Sequence, residues 1–120
     1  MKKLIPFIVI FALFSCRSVP SKSSNMMNLK NLHTEKKAVQ TKVLFEPKEK
    51  VISLQIAKDE QLSEHVTNVP ALLVCVSGNG MYGDENGQKI TLQSGDYVKI
   101  EPNVKHWVDA YVDSNFLLIK

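Results

Sequence analysis

The sequence predicts an all-β domain, a barrel or sandwich of short strands. Two observations carry this. From about Val39 onward, strand-length runs rich in Val, Ile, Leu, Thr and aromatics follow one another (AVQTKVLF, KVISLQIA, ALLVCVSG, QKITLQ, DYVKIE, HWVDAYV, NFLLIK), and no segment there carries a helical apolar period. Between the runs lie EPKE, KDEQ, GNG, DENG, QSGD, EPNV and VDSN, each built from residues that favour turns. Of these, Asn86-Gly87 is the sharpest, a dipeptide that suits a type I′ hairpin.

The chain of 120 residues is the length of one small domain, and its first segment is of another kind. Met1-Lys2-Lys3 precedes an apolar run from Leu4 to Phe14. A charged start, a short apolar stretch and a small residue before the break describe a secretory signal, too short to remain as a membrane-spanning helix. Leu13 to Cys16, LFSC, resembles the lipobox of bacterial lipoproteins, in which the cysteine is lipidated and becomes the first residue. The expected organisation is a signal peptide over residues 1–15, a tether over 16–38 beginning at lipidated Cys16, and a folded domain over 39–120. That places the protein in a bacterial cell envelope, anchored to a membrane and facing the periplasm or the exterior. Cys75 is then left alone within ALLVCVSG, where it reads as a small buried hydrophobe.

Charge divides the same way. Between Cys16 and Ala38, Arg17, Lys22, Lys30, Lys36 and Lys37 face Glu35 alone, whereas eight basic and eleven acidic residues follow from Val39 onward. The basic balance therefore belongs to the tether, and the domain is mildly acidic. Without a basic face or interleaved aromatics in the domain, nucleic acid is not an expected partner. The tether, rich in Ser, Asn and Lys, is expected to be flexible from Arg17 to about Lys37, with His33 exposed. About 80 residues make a small core, so a homodimer is expected.

The segment from Asp59 to Ala110 resembles the two motifs of the cupin superfamily, and most of all the compact single-domain cupins. Asp59 stands in the first motif's leading glycine position, followed by His65, Thr67, Ala71 and Gly78; the second motif runs from Gly95 through Glu101, Asn103 and His106 to Ala110. The resemblance covers essentially the whole folded part and implies a small cupin-type jelly-roll barrel. In metal-binding members two histidines, a glutamate and the second-motif histidine hold one divalent ion. Here His65 and His106 match, Thr67 replaces the second histidine and Ala71 the glutamate.

On a strand, His65 and Thr67 are two apart and would share a face, as would His106, Val108 and Ala110. Glu64 and Asp109 have the opposite parity and do not replace the lost carboxylate. Two imidazoles fall short of the three or more ligands that transition ions usually take from a protein. No cofactor is expected, with a divalent metal on His65 and His106 as the alternative. Tyr82, Tyr97, Trp107 and Tyr111 read as core, rim or interface aromatics. The sequence leads to a small-ligand-binding module using His65, Thr67 and His106 on a polar molecule, with a metal-dependent enzyme of oxygenase or isomerase type, or an envelope interaction protein, as alternatives. No residue is assigned a catalytic role.

Overall fold

A computed structural model describes residues 27–120. The expected signal peptide, the lipidation site Cys16 and the first part of the tether lie outside the described residues. The strands are β1 (Met27–Asn28), β2 (Val51–Ile56), β3 (Gln61–His65), β4 (Ala71–Ser77), β5 (Asn79–Asp84), β6 (Lys89–Gln93), β7 (Asp96–Ile100), β8 (His106–Ala110) and β9 (Ser114–Ile119).

Their pairing is nested and antiparallel: β5 with β6, β4 with β7, β3 with β8, β2 with β9. One long hairpin centred on the β5–β6 turn is thus rolled up, and its pairs fall alternately into two sheets, β1-β7-β4-β9-β2 and β3-β8-β5-β6. This is a jelly roll. Inward positions alternate along each strand as a half-buried sheet requires. Ala71, Leu73 and Cys75 of β4, Val98 and Ile100 of β7, and Phe116 and Leu118 of β9 meet Tyr82, Ile90, Leu92, Val108 and Ala110 in a single core. Cys75 is a buried free thiol there, its pKa raised by burial and then by the charge of Asp96.

The backbone reproduces the motif spacing seen in the sequence. Gly78 and Gly95 have φ of 101° and 87°, and the two non-glycine residues standing in motif glycine positions, Asp59 and Asn103, both have φ of 62°. Asp and Asn are the side chains best tolerated in the left-handed region, so the turns survive the loss of glycine. Asn103→Gly is expected to leave stability unchanged or slightly raised. Asn103→Val is expected to cost about 1–3 kcal/mol in urea denaturation, because a β-branched side chain is strained there.

Three local expectations are corrected. The Asn86-Gly87 hairpin forms, but Gly87 is at φ 83° whereas Asn86 keeps a negative φ, so the turn is not type I′. The cause is Asp84: its Oδ1 accepts from the backbone N–H of Asn86 at 2.9 Å and of Gln88 at 3.1 Å, and the Asp84 carbonyl accepts from Gly87 N–H at 3.1 Å. Only one residue then has to turn left-handed. Asn79-Gly80, expected in a turn, belongs to β5, where Gly83 faces Trp107 across the strand pair. A Cβ on Gly83 would meet the indole ring at 2.5 Å, so this glycine makes room for an aromatic.

The third correction concerns the N-terminal side. AVQTKVLF forms no strand among the described residues, and the segment expected to be flexible throughout instead pairs Met27 and Asn28 with Tyr97 and Asp96 of β7. Asn28 holds the contact by donating from Nδ2 to Asp96 Oδ1 at 2.7 Å, and Leu29 N–H donates to the Gly95 carbonyl at 2.9 Å. β1 and β2 lie on opposite edges of one sheet. The chain joining them must therefore cross that sheet, and since the core fills its inner face, residues 29–50 pass over the outer one as a strap. Beneath them Tyr97, which points outward between Asp96 and the core residue Val98, is 1% exposed. AVQTKVLF lies in this crossing, over a sheet face and not beside an edge strand, so its β propensity is not realised as a strand.

Candidate functional site

β3 ends at His65 and β8 begins at His106, and the two residues are register partners. Directly opposed residues of an antiparallel pair present their side chains to the same face. The two rings accordingly meet, with centroids 4.2 Å apart and planes at 57°. His106 is buried and His65 is half-buried, so the pair extends from the core toward solvent.

Each ring is oriented by its own strand. His65 Nδ1 lies 2.9 Å from the Ser63 carbonyl and His106 Nδ1 2.9 Å from the Val104 carbonyl. A carbonyl oxygen only accepts, so both Nδ1 atoms carry the proton and both Nε2 atoms of the neutral rings keep a lone pair. No hydrogen bond engages either Nε2 among the described residues. Burial lowers the pKa of His106, and His65 and Lys120 add to the lowering, while the Val104 carbonyl and Asp84 oppose it.

On the far side of His106 stands a polar group that the strand pattern did not single out. Asp84 is the register partner of His106 on β5, is 5% exposed, and accepts from the Tyr82 hydroxyl at 3.1 Å through Oδ2. Tyr82 in turn stacks with His106, centroids 6.0 Å apart and planes at 27°. Its hydroxyl pKa is pushed well up by burial, then by the charge and hydrogen bond of Asp84. The signal was present in NGMYGD, where Tyr82 and Asp84 are two apart and share a face. Three glycines in and beside that stretch pointed to turns and bulges instead.

Thr67 differs from its expectation. It lies beyond the end of β3, so it does not share a strand face with His65. It is buried, its hydroxyl donates to the Val69 carbonyl at 2.9 Å, and its own carbonyl accepts from Asn103 N–H at 2.7 Å. Thr67 thereby ties the loop after β3 to the loop before β8, the two segments that flank the histidines. Its hydroxyl oxygen retains acceptor capacity. Ala71 sits wholly buried in the core. Glu64 and Asp109 face away as their parity required: Glu64 lies 3.9 Å from Lys105 at the surface, and Asp109 accepts from Gln61 at 2.7 Å.

These residues do not fit a divalent metal. The carboxylate position is a buried methyl group, and no group of three or more His, Cys, Asp or Glu side chains able to hold an ion occurs among the described residues. Two hollows lie elsewhere, both bordered by Asn28 and Asn31 at the start of the strap. One of about 500 Å³ is bounded by Asn28, Lys30 and Gln93, the other of about 280 Å³ by Leu32, Lys42, Leu44 and Tyr97.

No family model and no curated protein sequence matches this chain significantly. Solved structures do. A cupin superfamily protein from Desulfitobacterium hafniense is 21% identical with a TM-score of 0.53, covering 64% of this chain and 83% of its own. An RmlC-like cupin with a double-stranded β-helix fold from Methanocaldococcus jannaschii is 19% identical, TM-score 0.54, covering 58% and 66%. A protein of unknown function from Streptococcus pyogenes is 14% identical, TM-score 0.55, covering 57% and 60%. The chain spans less than two thirds of the length of the last two. The fold is therefore that of a small cupin domain, a double-stranded β-helix of the RmlC-like kind, with the nested strand pairs and left-handed motif turns described above.

Proposed function

We propose that this protein is a lipid-anchored, extracytoplasmic cupin-like module that binds a small polar molecule without turning it over. The observation that supports this most is the pair of rings with centroids 4.2 Å apart, each fixed through its Nδ1 by a backbone carbonyl and with no hydrogen bond at its Nε2 among the described residues. Such a pair accepts hydrogen bonds from hydroxyl or amine donors of a ligand, and Thr67 adds an acceptor nearby in the chain. Preorganised acceptors lose little freedom on binding. The LFSC stretch supports the anchor at Cys16.

Titration of a panel of small polyols, sugars and hydroxy acids is expected to move the ring nitrogen signals of His65 and His106 in NMR spectra. His65→Ala should remove that response while leaving the fold intact, since His65 is half-buried at a strand end. A panel without effect on either ring would refute the ligand reading. Separately, labelled lipid is expected to enter the wild-type chain and not Cys16→Ser.

The metal reading gives a second expectation. Protein purified without a tag and desalted should carry well under one equivalent of iron, zinc or manganese, because two imidazoles are fewer than the three protein ligands common in such sites. Stoichiometric metal that is lost in His65→Ala would overturn this.

A further inference from the structure

The strap carries exposed apolar side chains interleaved with lysines. Leu29, Val39 and Val43 are 41%, 80% and 78% exposed, and Lys30, Lys36, Lys37 and Lys42 alternate with them along the chain. Over the whole strap, residues 29–50, six lysines stand against Glu35, Glu46 and Glu49, and Glu35 is paired with Lys37 at 2.6 Å. The sheet beneath continues the pattern. Its strands contain two charged residues, Asp96 and Lys99, and Asp96 is buried, bound by Asn28 and by Gln93 N–H. That leaves Lys99 as the exposed charge. Val51, Val76 and Leu117, which alternate with inward core residues, are 62%, 53% and 37% exposed. The other sheet differs in balance: Glu64, Asp84 and Asp109 lie on its strands against Lys89, and Asp59, Glu60, Glu85 and Glu101 on its turns against Lys58 and Lys105.

We infer that the strap and the outer face of the β1-β7-β4-β9-β2 sheet form a membrane-docking face, which seats on anionic lipid headgroups. Apolar side chains set among lysines are the chemistry of an interfacial membrane contact, where apolar burial and attraction to anionic lipid act together. A second copy of the chain is a poorer occupant. A two-fold contact would bring the same lysine-bearing patch to itself, and like charges brought together disfavour association. Chain length agrees with a membrane. Ten residues separate Cys16 from Met27, which at full extension is about 35 Å, and Met27 leaves the barrel at the edge of this face. The inference takes only proximity from the proposed anchor; the face depends neither on the ligand nor on Cys16. Held this way, the barrel would keep its acidic sheet turned from the lipid.

The test uses residues 17–120, which contain every described strand and lack the anchoring cysteine. This protein is expected to sediment with vesicles of phosphatidylcholine containing about 30 mol% phosphatidylglycerol at least about tenfold more strongly than with phosphatidylcholine alone, and to be released by high salt. Lys42→Glu with Lys99→Glu should abolish the preference, and Leu29→Ser with Val43→Ser should weaken binding to the anionic vesicles. Lys89→Glu, on the other sheet, should change little. Equal sedimentation with both vesicles would overturn the inference. So would an effect of Lys89→Glu as large as that of the strap-face pair, or a dimer broken by Leu117→Lys in a protein that ignores vesicles. Failure of the ligand panel or of lipid labelling would leave these vesicle results standing, so the readings fail separately.

Discussion

Asp84→Ala is expected to destabilise the domain by about 2–4 kcal/mol in urea denaturation, one of the largest effects of any single polar substitution in this chain. Asp84 serves three donors from a nearly buried position: the Tyr82 hydroxyl, and the N–H groups of Asn86 and Gln88. Truncation strands the Tyr82 hydroxyl inside the barrel and releases the turn at the centre of the nested hairpin. Asp84→Asn separates these roles. Its amide oxygen still accepts from the turn, and its NH₂ donates to the Tyr82 oxygen, so the cost should be about 1 kcal/mol, a typical net hydrogen-bond contribution. The charge is gone in both variants. Since Asp84 opposes the lowering of the His106 pKa, NMR titration should place His106 lower still in Asp84→Asn. An unchanged His106 titration would show that Asp84 acts through geometry alone.

Much of the barrel was legible because two patterns survive substitution. Strand alternation requires only apolar residues two apart, and ALLVCVSG, DYVKI and NFLLIK all satisfy it. The motif turns require a backbone that can turn left-handed, and Asp59 and Asn103 meet that need without being glycine. Where the reading failed, one local signal competed with a longer-range one. The glycines of NGMYGD pointed to turns, yet Gly83 is there because Trp107 packs over it from the neighbouring strand. AVQTKVLF has strand composition, but composition does not reveal that this stretch crosses over a sheet face and does not run beside an edge strand.

The candidate site was half legible for a related reason. The pairing of His65 with His106 spans distant strands and followed from the motif positions. Thr67 was placed by counting two along a strand that in fact stops at His65. Strand ends are set by loop hydrogen bonds, here from Asn103 N–H to the Thr67 carbonyl, and no parity rule contains them. Asp84 and Tyr82 were missed although their spacing was correct, because their partner is a third strand.

Acidification is expected to destabilise the protein through His106. Burial holds its folded pKa below the ordinary 6.5. Well above 6.5 the ring is neutral in both folded and unfolded chains and contributes no pH dependence. Once the pH falls through 6.5, the unfolded chain takes a proton that folded His106 does not, so stability drops until the lower folded value is reached. The slope contributed by this single proton can approach but not exceed about 1.4 kcal/mol per pH unit. Urea midpoints measured from pH 8 to pH 5 should show the fall, and His106→Gln should remove its share while costing stability at every pH. His65→Ala provides the discriminating arm. His65 adds to the lowering of His106, so its removal should raise the folded pKa and narrow the window of acid sensitivity. A ligand hydrogen-bonded to the neutral Nε2 of His106 would be released only at the lower, folded value, where the folded ring itself takes a proton and that nitrogen loses the lone pair with which it accepts. If stability is flat across this range, or if His106→Gln keeps the full slope, the proton is being taken up elsewhere.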